Sequence, residues 1–440
     1  MIRSNLKIAA AALAVASAFA STAHAAGFQL TEQSALALGR AYAGVGVDGT
    51  DISGIYYNPA TMTLHPGTAV QMGLVGVGLN LEYVDQDGSK NNGRAREEVL
   101  PHIFASHQIN DSTWVGLAVT IPYGLATDYG DDFKRKELGT DAKITVINFN
   151  PNVAWKLNDK FSLGAGLALQ YVDAKFGVGY EGNGLKLHNE YSADNFTWGW
   201  NVGMMWAPVE NVRFGISYRS ETKHATNGDL KTSGSATLSN GQSFAFGGTY
   251  DASVTVSGPA WAMFNAAWDV NDYLSLYATF RWADWSSFKR LQTQSPELNQ
   301  SISNIVKVDP TIGTVLGQVA GALGDIHNNW VDTYLYSVGY DLRVNDFWTL
   351  RGGVAYETSA IGDPKTRTAL IPDADRWWFA IGSSFHWSKN FQTDVAFAHL
   401  HGVHERSLYD HTSGANYGNE VGRYRHLDAY LLGIQAQYRF

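Results

Sequence analysis

No cysteine occurs among the 440 residues. That excludes a disulfide framework, thiolate metal sites and a cysteine nucleophile. Charge is sparse and unbalanced: 32 Lys and Arg stand against 41 Asp and Glu, a formal net charge of −9. So acidic a chain is a poor start for binding nucleic acid. Beyond residue 25 there is no uninterrupted apolar run of the roughly 20 residues that a membrane-crossing helix needs. G-x-S-x-G and Walker A patterns are missing, and no Ser/His constellation stands out, so nothing points to an enzyme or a cofactor. Gly44-Val45-Gly46-Val47-Asp48-Gly49 spells G-x-G-x-x-G. It follows no strand of a βαβ unit and does not read as a dinucleotide site.

What is present starts at the N-terminus. Arg3 and Lys7 lead an apolar run from Ile8 to Ala20, and Ala23-His24-Ala25 supplies a small-residue site. This is the layout of a bacterial secretory signal over residues 1–25, cleaved after Ala25. Removing Arg3 and Lys7 takes the exported chain from −9 to −11. Tyr 22, Phe 20 and Trp 14 make the chain aromatic, and Gly 45 is high against a usual share of about 7%. The mean hydropathy of −0.18 looks soluble. A β-barrel averages to the same value, because lipid-facing and lumen-facing residues alternate.

Alternation of period two is widespread. Phe161, Leu163, Leu167, Leu169 and Tyr171 oppose Ser162, Gly164, Gly166, Ala168 and Gln170. Leu276, Ala278, Phe280 and Trp282 oppose Ser275, Tyr277, Thr279 and Arg281, and Tyr430, Leu432, Ile434, Ala436, Tyr438 and Phe440 share one face. Such segments read as strands with one greasy face. Six short turns fall at Asn110-Asp111, Asn158-Asp159, Glu210-Asn211, Asn271-Asp272, Asn345-Asp346 and Lys389-Asn390. Asn and Asp suit tight turns because they tolerate αL and bond their own backbone. Between them lie longer polar connections at about 84–97, 123–141, 178–191, 222–250, 290–327, 359–373 and 403–423. Short and long alternate strictly, which gives fourteen strands. The prediction is an all-β protein: a 14-stranded antiparallel transmembrane β-barrel over 68–440 in the bacterial outer membrane, with short periplasmic turns and long external loops. The terminal Phe440 fits a signal read by the barrel assembly machinery.

Residues 26–67 do not alternate. They are too many for a linker, too few for a domain, and apolar. A 14-stranded barrel has a lumen wider than side chains fill, so this segment is predicted as an N-terminal hatch, or plug. Three features carry possible chemistry. Pro122 ends the strand Trp114–Ile121, and a proline in a closed ladder implies a bulge or kink. Lys175 and Arg376 are candidate lumenal cations for a carboxylate. His399, His401 and His404 form H-x-H-x-x-H, a weak candidate for Zn²⁺ or Cu²⁺. In loop 290–327, Ile312, Leu316, Val319 and Leu323 have helical spacing.

Several motifs together resemble the FadL family of outer-membrane long-chain fatty acid transporters. They are Ala26-Gly27-Phe28-Gln29-Leu30, Leu38-Gly39-Arg40-Ala41-Tyr42-Ala43-Gly44, Tyr57-Asn58-Pro59-Ala60, Tyr123-Gly124-Leu125-Ala126-Thr127, Ser217-Tyr218-Arg219-Ser220, Asp284-Trp285-Ser286 and Ile371-Pro372-Asp373-Ala374-Asp375-Arg376. The resemblance implies a barrel with an internal hatch, and a side opening where the third strand kinks at Pro122, Tyr123 and Gly124. It implies that Asn58-Pro59-Ala60 approaches this opening, and that Phe28, Leu30, Asn58, Pro59 and Ala60 line hatch and pocket. Val331 stands near a position where the family's fatty acid transporters can carry a lysine. The implied function is passive uptake of hydrophobic small molecules by a monomer, in contact with outer-membrane lipid and lipopolysaccharide. Long-chain fatty acids come first. The alternatives are toluene-type aromatic hydrocarbons on the same fold, or a structural or adhesion protein.

Overall fold

Fourteen long antiparallel strands, each hydrogen-bonded to the next, close into a barrel in the computed structural model, which describes residues 27–94, 97–130, 132–182, 184–237, 241–308, 325–410 and 418–440. They are β1 Thr68–Asp85, β2 Glu98–Asn110, β3 Thr113–Asp128, β4 Asp141–Lys156, β5 Phe161–Gly182 and β6 Leu185–Val209. β7 runs in two pieces, Val212–Arg219 and Thr222–Thr237, as does β8, Ser243–Gly258 and Trp261–Asp269. Then come β9 Leu274–Ala283, β10 Thr333–Arg343, β11 Trp348–Glu357, β12 Arg376–His386, β13 Phe391–Gly402 and β14 Glu420–Arg439. The ring shuts where β1 pairs with β14, from Ala69↔Arg439 to Asp85↔Gly422. The first and last strands thus pair with each other and the sheet has no free terminal strand, as a lipid-embedded sheet requires. Among the described residues no helix is long and apolar enough to cross a membrane.

The alternation sets the two faces. Met72, Phe196, Trp198, Ile381 and Leu432 point outward and are each about 60% exposed, as a lipid-facing belt should be. Inward positions are polar and bonded to one another. Asn150 donates to Asn201 (2.8 Å), Asn201 to Asn152 (3.0 Å), and Arg219 to Asn150 (2.9 Å). All six predicted short turns join consecutive strands.

Two of the predicted external loops are strand instead. β5 and β6 pair without a break from Phe161↔Trp206 to Gly182↔Leu185. The outer pieces of β7 and β8 pair from Thr222↔Gly258 to Thr237↔Ser243. A tilted strand crosses the bilayer in about 9–11 residues. These hairpins are far longer and stand beyond the membrane, where the outward face carries exposed Lys186, His188 and Lys231 while the inward face stays buried with Leu185, Leu187, Tyr191 and Leu230. The apolar outward face is lost there although the ladder continues, because water replaces lipid on that side. In 290–327 a helix occupies Pro296–Val308. The stretch holding Ile312, Leu316, Val319 and Leu323 lies outside the described residues, as do the predicted signal and Ala26.

Residues 27–67 form no strand of the wall. They contain two single-turn helices, α1 Ala35–Leu38 and α2 Gly54–Tyr57, and a 3₁₀ turn, Pro59–Leu64. Ser34 caps α1 by accepting from Ala37 N–H (3.1 Å), and Asn58 caps the 3₁₀ turn by accepting from Ala60 N–H (3.1 Å). Elements this short have little stability of their own and depend on what they touch. The segment bonds to inward-facing side chains on strands spread round the ring. Gln435 of β14 accepts from Ala35 N–H (2.8 Å) and Gln437 from Ile52 N–H (3.1 Å). Arg40 pairs with Asp341 of β10 (3.2 Å), Thr279 of β9 accepts from Gly44 N–H (2.8 Å), and Arg213 of β7 donates to the Val47 carbonyl (3.1 Å). Arg40 also pairs with Asp48 and lies over the Tyr277 ring. Asp341 binds Arg351 (3.2 Å) and Arg351 reaches Asp394 (3.4 Å), so a buried charge network joins the segment to β10, β11 and β13.

Candidate functional site

The ladder between β2 and β3 begins at Asn110↔Thr113 and stops at Ile103↔Val119. β2 continues upward beside β1 to Val77↔Glu98. β3 instead shifts register against β4 between Thr120↔Asn148 and Tyr123↔Val146, so Ile121 and Pro122 together oppose Ile147. This is a bulge centred on a residue with no N–H to give, and it separates β3 from β2 above that point. Of the bulge or kink expected at Pro122, the register shows the bulge.

Buried backbone groups at such a break must find partners or cost about 1–3 kcal/mol each. Here the N-terminal segment supplies them. Leu30 N–H donates to the Pro122 carbonyl (2.8 Å), and Gly124 N–H donates to the Phe28 carbonyl (2.9 Å). Gln29 and Tyr123 thus face each other as an antiparallel bridge. The Gln33 side chain closes the remaining peptide: its Nε2 donates to the Ile121 carbonyl (2.7 Å) and its Oε1 accepts from Ile121 N–H (3.1 Å). Residues 28–33 therefore stand in for a missing neighbour strand. A Cβ on Gly124 would lie 2.8 Å from Leu30 Cδ1, so a larger residue there would have to push the Leu30 side chain aside.

Aromatic rings fix the start of this segment. Phe28 meets Trp285 at 4.8 Å, Phe288 at 5.7 Å, Tyr123 at 6.0 Å and Trp330 at 6.2 Å between ring centroids. Gly27 has φ of +63°, and a Cβ there would strike Trp285 and Trp330 at 2.8 Å. Gly27 N–H donates to Asp373 (3.2 Å), which also accepts from Ser359 Oγ and Ala360 N–H (2.9 Å each) and pairs with Arg376. Glu32 is completely buried, and neither carboxylate oxygen bonds another described residue.

The predicted residues distribute unevenly over this geometry. Phe28, Leu30, Pro122, Tyr123 and Gly124 meet at the break. Asn58, Pro59 and Ala60 do not, which corrects the expectation that they approach the opening. Asn58 Nδ2 donates to the Gly46 carbonyl (2.9 Å) and the Met204 carbonyl of β6 (3.1 Å). Pro59 and Ala60 press on Gly164 of β5. The 3₁₀ turn that Asn58 caps leads to His65, whose carbonyl is held by Trp114 near the start of β3 (3.0 Å), and this anchors the trio low on the wall.

Arg376 is inward and buried, as expected, but it is engaged with Asp373 and, at 3.6 Å, with Glu357. Its carboxylate partners belong to the chain. Lys175 is not lumenal. Odd positions of β5 point outward, and Lys175 pairs with Glu190 on the outer side (2.7 Å). His404 leaves the histidine cluster because β13 ends at Gly402; it turns to Asp375 (2.9 Å). His399 and His401 stay together and are joined by Asp428 of β14. The roles of Gln33, Glu32, Asp373 and the Trp285–Phe288–Trp330 group were missed. Asp373 and Trp285 lie within the quoted motifs, whereas contacts between residues up to 346 positions apart leave no local pattern.

A closed 14-stranded barrel with a lipid-facing belt, a broken wall ladder and a polypeptide segment bonded inside it is an outer-membrane transport barrel. The comparisons give the family. Residues 16–440 match the family described as "Outer membrane protein transport protein (OMPP1/FadL/TodX)". The chain belongs to this family, a family of transport proteins and not of enzymes. It is similar to the long-chain fatty acid transport protein of Escherichia coli K12, with 27% identity covering 89% of this chain and 91% of the relative. It is also similar to a 47 kDa outer membrane protein of Pasteurella multocida, with 28% identity covering 98% and 97%. Among solved structures, a Pseudomonas aeruginosa FadL homologue superposes with a TM-score of 0.78 at 21% identity, covering 94% of this chain and all of that one. The Pseudomonas putida toluene transporter TodX gives 0.71 at 16%, again covering 94% and 100%.

Proposed function

We propose that this barrel carries hydrophobic molecules, long-chain fatty acids first among them, passively across the outer membrane and releases them sideways between β2 and β3. Residues 26–67 are the hatch. The observation that carries the reading is the bonding of residues 28–33 to the Ile121–Gly124 bulge: the gap in the wall is held by a segment that has other residues to rest on when it moves. Lateral release suits the ligand. Lipopolysaccharide obstructs the outer leaflet, whereas an alkyl chain gains about 0.8 kcal/mol per CH₂ on entering the bilayer core.

The fatty acid reading is supported by the names of the Escherichia coli relatives. A second reading, monoaromatic hydrocarbons, is favoured by the ring-lined surroundings of Phe28, by Arg376 being engaged, and by Val331 at the approximate family lysine position. Uptake of labelled oleate and of labelled toluene by a deletion strain carrying this gene separates the two.

Sideways exit has its own test. Gln29 and Tyr123 form a non-hydrogen-bonded antiparallel pair, whose Cα atoms lie about 4.5 Å apart, within disulfide range. Since the chain has no cysteine, Gln29→Cys with Tyr123→Cys creates a single bridge. The oxidised protein should lose uptake by at least about tenfold and recover it on reduction. Equal uptake with the bridge formed and broken overturns lateral release here.

A further inference from the structure

The outer wall carries a group of side chains that transport does not use. Along β13 the outward positions are Val395, Phe397, His399 and His401. Register then decides what faces them: His399 lies opposite Tyr430 of β14, and His401 opposite Asp428. Two imidazoles at i and i+2 on one strand and a carboxylate on the next thus share one face. A single nitrogen or oxygen from each can be chosen so that all three lie within 4.8 Å of one another. It is the one such group of three or more potential ligands among the described residues.

The surroundings hold these groups in place. The His399 ring stacks flat on Tyr430, 4.7 Å between centroids and 8° from parallel. Its Nε2 is buried and bonds no other described residue. His401 Nδ1 lies 2.8 Å from one oxygen of Asp428, and His426 Nδ1 lies 3.5 Å from the other. Asp428 is itself buried and accepts from Gly402 N–H (3.2 Å). A buried carboxylate with imidazoles at both oxygens, beside a third imidazole whose nitrogen has nothing to bond, is an incomplete polar site.

We propose that His399, His401 and Asp428 bind a divalent transition-metal ion, Zn²⁺ being the best match, with His426 orienting the carboxylate. Imidazole and carboxylate donors suit Zn²⁺, which binds them at about 2.0–2.2 Å. Tetrahedral ligands at that distance are about 3.4 Å apart, so closing the present arrangement takes movements of about 1 Å. The His401 ring is half-exposed and can make such a movement by rotation. Three protein ligands leave a fourth position for water or another oxygen donor outside the wall. The ion would join β13 to β14 at the upper edge of the apolar belt, above Phe397 and Leu432. It has no connection to the lumen.

The test uses the full-length barrel in detergent, carrying no histidine tag and stripped with chelator. Zn²⁺ is titrated calorimetrically, and Co²⁺ is used as a spectroscopic probe of coordination. One Zn²⁺ should bind per barrel, with a visible Co²⁺ spectrum of low-coordinate N/O ligation. His401→Ala should weaken binding by at least about tenfold, as should Asp428→Asn, whereas His404→Ala should leave it unchanged. Heat-modifiability on gels shows that each variant is folded, and His399→Gln provides a second ligand removal that keeps a planar side chain against Tyr430. A wild-type protein that binds no Zn²⁺ overturns the proposal. So does binding that His401→Ala and His399→Gln leave at full strength, which would mark adventitious metal elsewhere on the surface.

Discussion

Two seams of the same barrel behave in opposite ways. The β1–β14 seam, which closes the ring, is paired from Ala69↔Arg439 through Asp85↔Gly422 with a single irregularity. The β2–β3 seam stops at Ile103↔Val119. The first is satisfied by its own ladder. The second is satisfied by a segment that belongs to no strand of the wall, through Leu30, Phe28 and the side chain of Gln33. Hydrogen-bond completeness is therefore no guide to permanence. A ladder can be opened only by breaking the barrel, whereas a substitute neighbour can leave and take its bonds elsewhere.

The comparison is broken most severely by removing the substitute. Deleting residues 27–60 should give a folded, heat-modifiable barrel with several-fold larger single-channel conductance, because a 14-stranded lumen is wider than its own side chains fill. Unchanged conductance in the folded deletion would show that the segment does not obstruct the lumen.

A smaller break is Gln33→Ala. It strips both partners from the Ile121 peptide, at about 1–3 kcal/mol for each buried group left unmade. Spontaneous opening in single-channel records should rise by about tenfold or more, with strand content by circular dichroism unaltered. An opening rate equal to wild type would mean that water replaces the glutamine without cost.

The finest adjustment is pH. Glu32 belongs to the segment inside the barrel, and burial pushes its carboxyl from 4.5 up to about 7, with Glu357 adding to the rise and Arg376 and Arg281 opposing it. A carboxyl raised on folding adds stability that is complete below about pH 4.5 and is lost as pH climbs to about 7. The segment should hold more firmly at pH 5 than at pH 8, by at most about 3 kcal/mol at 1.4 kcal/mol per pKa unit. Glu32→Gln should flatten that slope, read as the pH dependence of spontaneous opening. A variant with the wild-type slope would assign it to another group.

The barrel was legible because membrane strands repeat one constraint many times. Every second residue of β5 or β14 must tolerate lipid, and every return on the short side needs a tight turn. The same reasoning failed beyond the membrane. In 178–191 and 222–250 the outward face meets water instead of lipid and turns polar, so strand resembles loop. Parity puts Lys175 on the outward face with Phe161, Leu163 and Tyr171, so a lumenal role for its charge conflicts with the period-two pattern itself. Pro122 was found because proline in a closed ladder is a local anomaly. Its partners were not, because Gln33 is an ordinary residue whose importance arises only when it comes to lie against Ile121. The histidine motif was half read: β13 alternation kept His399 with His401, and only the register with β14 could replace His404 by Asp428.

On the proposed sideways release, the bonding at the bulge would also set a time-averaged throughput. Four hydrogen bonds hold residues 28–33 to Ile121, Pro122 and Gly124. At a net value of about 0.5–1.5 kcal/mol each, release costs about 2–6 kcal/mol before any ring contacts are counted. The open form would then be populated between about one part in thirty and one part in twenty-five thousand, and flux by the proposed route would scale with that fraction. Residence of a ligand against the segment, in place of Phe28 among the rings, would raise it. Uptake would then accelerate only when something is there to be carried, and the empty barrel would keep its side opening shut.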